Sequence, residues 1–116
     1  MRLLLTIIIS SMALLSRGDN ALTQTDLLYL FPNKDIYETG EDMWFKAYLM
    51  DRQTLALSDQ SQTLFLQLRS ENGDVVWSGK FPLRNGRGDG HVYINEAWQK
   101  QEYFIEGYTR SSFTYL

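Results

Sequence analysis

Beyond residue 21 the apolar residues of this chain recur at every second position, not at every third or fourth. Met43, Phe45, Ala47 and Leu49 alternate with Trp44, Lys46, Tyr48 and Met50. Leu64, Leu66 and Leu68 alternate with Thr63, Phe65, Gln67 and Arg69. Val75, Trp77, Gly79, Phe81 and Leu83 oppose Val76, Ser78, Lys80, Pro82 and Arg84. Val92 and Ile94 lie between His91, Tyr93 and Asn95, and Tyr103, Ile105 and Gly107 oppose Glu102, Phe104, Glu106 and Tyr108. Alternation of this kind is the signature of strands with one face on a core. A further strand over Asp26 to Phe31 ends at Pro32.

Turn chemistry separates these runs. Asn72-Gly73 and Asn85-Gly86 predict tight type I′ hairpins, since both residues tolerate positive φ. Thr39-Gly40 and Gly88-Asp89-Gly90 predict two more reversals. The polar stretch Asp51 to Gln62 is long enough to cross between two sheets. Short strands at this spacing predict an all-β, antiparallel, seven-stranded β-sandwich.

The first segment differs. After Met1-Arg2 the chain runs without a charge from Leu3 to Ser16, then turns small and polar at Gly18, Asn20 and Ala21. A basic start, a short apolar run and small residues form the pattern of a secretory signal peptide. As a helix the 14-residue run would rise roughly 21 Å, short of a bilayer's ~30 Å hydrocarbon core. The expected division is therefore a helical signal over 1–21 and a mature domain over 22–116. That predicts export, and no membrane span after signal removal.

Composition narrows the function. The 116 residues contain no cysteine, which excludes zinc fingers, thiol catalysis and a disulfide framework. Eleven basic residues against fourteen acidic give a net charge of −3, the wrong sign for a nucleic-acid binder. All of the three Trp, seven Tyr and six Phe lie beyond the signal, where they supply core material.

Three segments together resemble a known module. Asn33 to Tyr48 (NKDIYETGEDMWFKAY) is similar to the opening of macroglobulin MG2 domains, the sandwich modules of alpha-2-macroglobulin and its bacterial relatives. Thr63 to Arg69 with Asn72-Gly73 resembles that family's next strand and turn, and Gln101 to Thr109 resembles its closing strand. The resemblance spans Asp26 to Thr109 and is closest to MG2 modules exported by Bacteroides-like bacteria. It implies a fibronectin- or immunoglobulin-like sandwich in the periplasm or on the surface of a Gram-negative cell. It also implies endopeptidase-inhibitor ancestry, although a chain without cysteine has no thioester, and no bait region is present. Such modules sit in long proteins, so the chain reads as an orphan module or a truncated product.

Candidate chemistry is sparse. His91 is the only histidine, so a hydrolytic triad would have to join it to Asp89 and to Ser78, Ser111 or Ser112. A surface imidazole beside a glycine-rich turn is the simpler reading. Asp35, Glu38, Glu41 and Asp42 form an acidic group whose spacing matches no EF-hand loop, so a solvated turn is expected there. Arg87-Gly88-Asp89 is an integrin-type tripeptide at an expected hairpin tip, and Arg17-Gly18-Asp19 repeats it within the signal. Neither copy is assigned a site, and no catalytic residue, cofactor or metal is expected.

The faces opposite the expected core carry Trp44, Tyr48, Phe65, Tyr93, Phe104 and Tyr108. Cross-strand ring pairing, or burial on strands whose faces are reversed, accounts for such residues. The alternative is a docking surface, because exposed apolar patches mark interaction sites. The expected function is a non-enzymatic spacer or interaction module that meets a neighbouring domain or protein partner. A carbohydrate-binding or adhesive module using the same rings is the alternative.

Overall fold

The computed structural model describes residues 7–11 and 25–112 and contains strands but no helix among them. In chain order the strands are β1 (Ile7–Ser11), β2 (Asp26–Pro32), β3 (Asp42–Asp51), β4 (Thr63–Arg69), β5 (Val75–Pro82), β6 (Arg87–Tyr93) and β7 (Tyr103–Tyr108). They form two sheets, ordered β2-β3-β6 and β1-β7-β4-β5. Strands β2 to β7 make two three-stranded antiparallel sheets, and β1 adds to β7 in parallel. The region 22–116 thus contributes six described strands, where seven were expected. The expected signal helix falls largely outside the described residues. The part inside them is extended, in keeping with the strand preference of three consecutive β-branched isoleucines.

The alternation read from the sequence sets the faces. Met43, Phe45, Ala47 and Leu49 are buried from β3, Leu64, Leu66 and Leu68 from β4, and Tyr103 and Ile105 from β7. Leu28 and Leu30 of β2 and Val92 of β6 complete this core between the sheets. Phe45 meets Phe81 of β5 edge to face, with ring centres 4.8 Å apart, which joins the layers at the β5–β6 side.

Two turns behave differently although both are Asn-Gly. Asn85 and Gly86 have φ of 52° and 77°, and Arg84 and Arg87 exchange both backbone hydrogen bonds around them. That is the expected type I′ hairpin. At Asn72-Gly73 only the glycine has positive φ, at 88°. The Gly73 amide donates to the Ser70 carbonyl, and Ser70 and Asp74 close a three-residue loop. The ladder shifts at Leu68/Arg69, so this hairpin absorbs an extra residue as a bulge and not as a two-residue turn.

Gly88-Asp89-Gly90 is no reversal. It runs straight through β6, with Phe45 opposite Gly90 and Ala47 opposite Gly88. A Cβ on Gly90 would lie 2.6 Å from the Phe81 ring, so glycine here makes room for aromatics arriving from other strands. Asp51 to Gln62 does connect the two sheets. Asp51 caps its first turn by accepting from the Gln53 and Thr54 amides, and these bonds hold its carboxyl below the ordinary value.

Tyr103 closes the sandwich as a tyrosine corner: its buried ring starts β7, and its hydroxyl donates to the Gln99 carbonyl at 2.6 Å. Tyr37 plugs the β2–β3 connection in the same manner. Its ring is fully buried, while its hydroxyl donates to Asn33 Oδ1 and accepts from the Lys34 amide.

Candidate functional site

The outer face of β2-β3-β6 presents side chains in cross-strand rows. Tyr29 stands opposite Tyr48, which stands opposite Arg87. Phe31, Lys46 and Asp89 form the next row, followed by Trp44 beside His91 and by Asp42 beside Tyr93. Phe31 and Trp44 are each 55% exposed, and Tyr29 and Tyr93 also lie open. An antiparallel sheet with one wet face ordinarily alternates apolar-in with polar-out, so four open rings on one small sheet are an excess.

The rings are ordered by their neighbours. Phe31 meets Tyr48 edge to face at 5.8 Å, and Trp44 lies against the His91 imidazole at 4.5 Å. His91 Nδ1 is 3.0 Å from Asp42 Oδ1, which fixes the ring beneath the indole. Tyr93 donates its hydroxyl to Glu96, and that bond raises its pKa above the ordinary phenol value. Two shallow clefts flank the row of Lys46 and Asp89. One, of about 370 Å³, is walled by Phe31, Trp44 and Phe45 with Asn33, Lys46 and Asp89 at its polar edge. The other, of about 450 Å³, lies between Tyr48, Lys46, Arg84 and Arg87.

The six aromatics expected on one surface separate into two groups. Trp44, Tyr48 and Tyr93 lie on this face. Phe65, Phe104 and Tyr108 belong to β4 and β7 in the other sheet, and all three are half-buried. Phe65 and Tyr108 sit directly opposite each other in register and stack at 5.2 Å, with Lys80 Nζ 5.6 Å from the Phe65 ring centre. Cross-strand pairing accounts for those two rings. Sequence reasoning missed Tyr29, Phe31 and Arg87 on the first face. The alternation within Asp26 to Phe31 already marked Tyr29 and Phe31 as a pair on one side.

The other sequence candidates do not converge. Asp89 pairs in register with Lys46, not with His91. Ser78 faces Gln67 on the second sheet, while Ser111 bonds to Ser61 and Ser112 to Thr109. The acidic group is likewise divided. Glu41 pairs with Lys34 at 2.5 Å and accepts the Glu38 amide, while Asp42 turns to His91. Among the described residues no three His, Cys, Asp or Glu side chains gather as a metal site. Arg87-Gly88-Asp89 lies along β6 and not at the hairpin tip, and Arg17 to Asp19 fall outside the described residues. No described helix is long and apolar enough to cross a membrane.

Comparison with protein-family models, with curated proteins and with solved structures finds no match for this chain.

Proposed function

We propose that this chain is an exported, non-enzymatic MG2-like sandwich that serves as a spacer and interaction module, docking its partner on the outer face of β2-β3-β6. The observation that carries the reading is the contiguous exposure of Tyr29, Phe31, Trp44 and Tyr93 on one three-stranded sheet. Interfaces are enriched in Trp, Tyr and Arg, and this face adds Arg87 to its rings. The chain's resemblance to MG2 modules, which occur beside other domains, favours a neighbouring domain or a protein as the occupant.

A photo-crosslinking residue placed at Phe31, in the cell that makes the chain, is expected to capture a polypeptide. The same residue at Lys80, on the opposite sheet, is the control. Equal capture at both positions, or none at Phe31, refutes the docking face.

The cleft beside Trp44 supports one second reading. Its apolar ring wall and its edge of Asn33, Lys46 and Asp89 suit the apolar face and hydroxyls of a sugar. Saturable quenching of Trp fluorescence by a polysaccharide, lost in Trp44→Ala, would establish a carbohydrate-binding module in place of a protein-docking one.

A further inference from the structure

One strand does not belong to the antiparallel pattern. β1 lies along β7 in parallel, pairing Ile7 with Tyr103 through to Ser11 with Gly107. It also lies against β2, so it fills the side of the sandwich where β7 and β2 come together. Strand β7 has β4 as its other neighbour. Without β1 the β7 edge therefore presents a row of unpaired backbone N–H and C=O groups beside the core.

From this geometry we infer that the β7 edge is a strand-acceptor site. In the mature protein it takes an extended apolar segment of a partner polypeptide, running parallel to β7 as Ile7–Ser11 does. Main-chain pairing supplies the affinity in this mode of recognition, and alternate side chains supply the selection. Both are visible here. The β7 residues opposite β1 alternate between buried Tyr103, Ile105 and Gly107 and half-buried Phe104 and Glu106. An incoming strand meets the core on one side, which requires apolar residues, and Phe104 and Glu106 on the other.

The occupant's chemistry is read from the strand already seated there, an uncharged run of three isoleucines and two serines. That run lies within the expected signal, so the inference rests on the export reading in one respect: signal removal is what vacates the edge. The two ideas are tested apart. The mass of the exported chain tests signal removal, and strand exchange on the full chain tests the edge.

The experiment uses the full chain and a fluorescein-labelled peptide, Thr-Ile-Ile-Ile-Ser-Ser with a Lys-Lys tail. Adjacent strand residues send their N–H groups to opposite sides, so Ile8→Pro with Ile9→Pro removes one donor toward β7 whatever the phase. Fluorescence anisotropy is expected to show saturable binding at least ten times tighter to the double-proline chain than to the unsubstituted chain. A peptide with prolines at the same two positions should not bind. The alternate backbone amides between Tyr103 and Gly107 that face β1 should lose exchange protection in the double-proline chain and regain it with the peptide, while those facing β4 keep it. If that chain fails to fold alone, peptide-dependent recovery of a cooperative thermal transition is the supporting readout.

Equal weak binding to both chains, or no recovery, overturns the proposal. So does a full-length dimer that the two prolines dissolve, since it would seat a second copy's Ile7–Ser11 on β7 in place of a partner's strand.

Discussion

Replacing Tyr37 by Phe isolates the hydroxyl that anchors the β2–β3 connection. The ring remains, so no apolar area is returned to water and no cavity opens. What is lost is the bond donated to Asn33 Oδ1 at 2.6 Å and the one accepted from the Lys34 amide at 2.9 Å. At about 1 kcal/mol net for each, the change should cost ~2 kcal/mol, toward the lower side because Asn33 and Lys34 are exposed and can recover water. In a domain of this size that lowers Tm by roughly 8–16 °C. Urea unfolding followed by fluorescence of Trp44, Trp77 and Trp98 should show a lower midpoint with an unchanged m-value. Asn33 Oδ1 also accepts the Trp44 amide at 3.1 Å, so it is shared between the plug and β3. Asn33→Ala and Tyr37→Phe should therefore be non-additive by about 1 kcal/mol. A loss below about 0.5 kcal/mol, or full additivity, would refute the anchoring role.

Gly86→Ala should cost about 3 kcal/mol or more, because an L side chain disfavours φ of 77° and its Cβ would stand 2.7 Å from the Leu49 carbonyl oxygen. Chemical denaturation measures this, and a neutral result would remove the type I′ hairpin from the account. Gly90→Ala should cost roughly 1–3 kcal/mol by pushing on the Phe81 ring, and Phe81→Leu in the same chain should recover part of that loss. Burial raises the pKa of both Tyr37 and Tyr103 above the ordinary phenol value. The folded state then holds these protons more tightly than the unfolded state, so stability is intact below about pH 10 and declines as pH rises from there through the folded values. Thermal melts across that range should show the decline, and Tyr37→Phe should flatten it; a melting temperature that rises above pH 10 would contradict the assignment.

How much was legible in the sequence follows the range of the interactions involved. The inward faces of β3, β4 and β7 could be read directly, because a pleated strand sends alternate side chains to opposite sides and Met43 to Leu49 or Leu64 to Leu68 already alternate. Asn85-Gly86 could be read because two adjacent positive-φ residues define their hairpin locally. Asn72-Gly73 carries the same dipeptide, yet the pairing of Arg69 with Val75 made it a bulged loop. That register belongs to the two strands together and not to the turn residues. Of the candidate surface, the alternation identified Trp44, Tyr48 and Tyr93 as outward. It could not separate them from Phe65, Phe104 and Tyr108, because face is a property of one strand and sheet membership is not.

The sequence by itself determined a chain of alternating strands, a cysteine-free acidic composition and an apolar first segment. These depend on neighbours a few residues away and on the identity of the side chains. Only the tertiary structure decided that Gly88 to Gly90 runs as a strand, since the space a side chain would need is taken by Leu83 and the Pro82 carbonyl at Gly88 and by Phe81 and Phe45 at Gly90. It alone divided the aromatic residues between two opposite faces and laid Ile7–Ser11 along β7. Both follow from pairing between segments far apart in sequence, where burial of shared apolar surface and satisfaction of backbone hydrogen bonds override local preference.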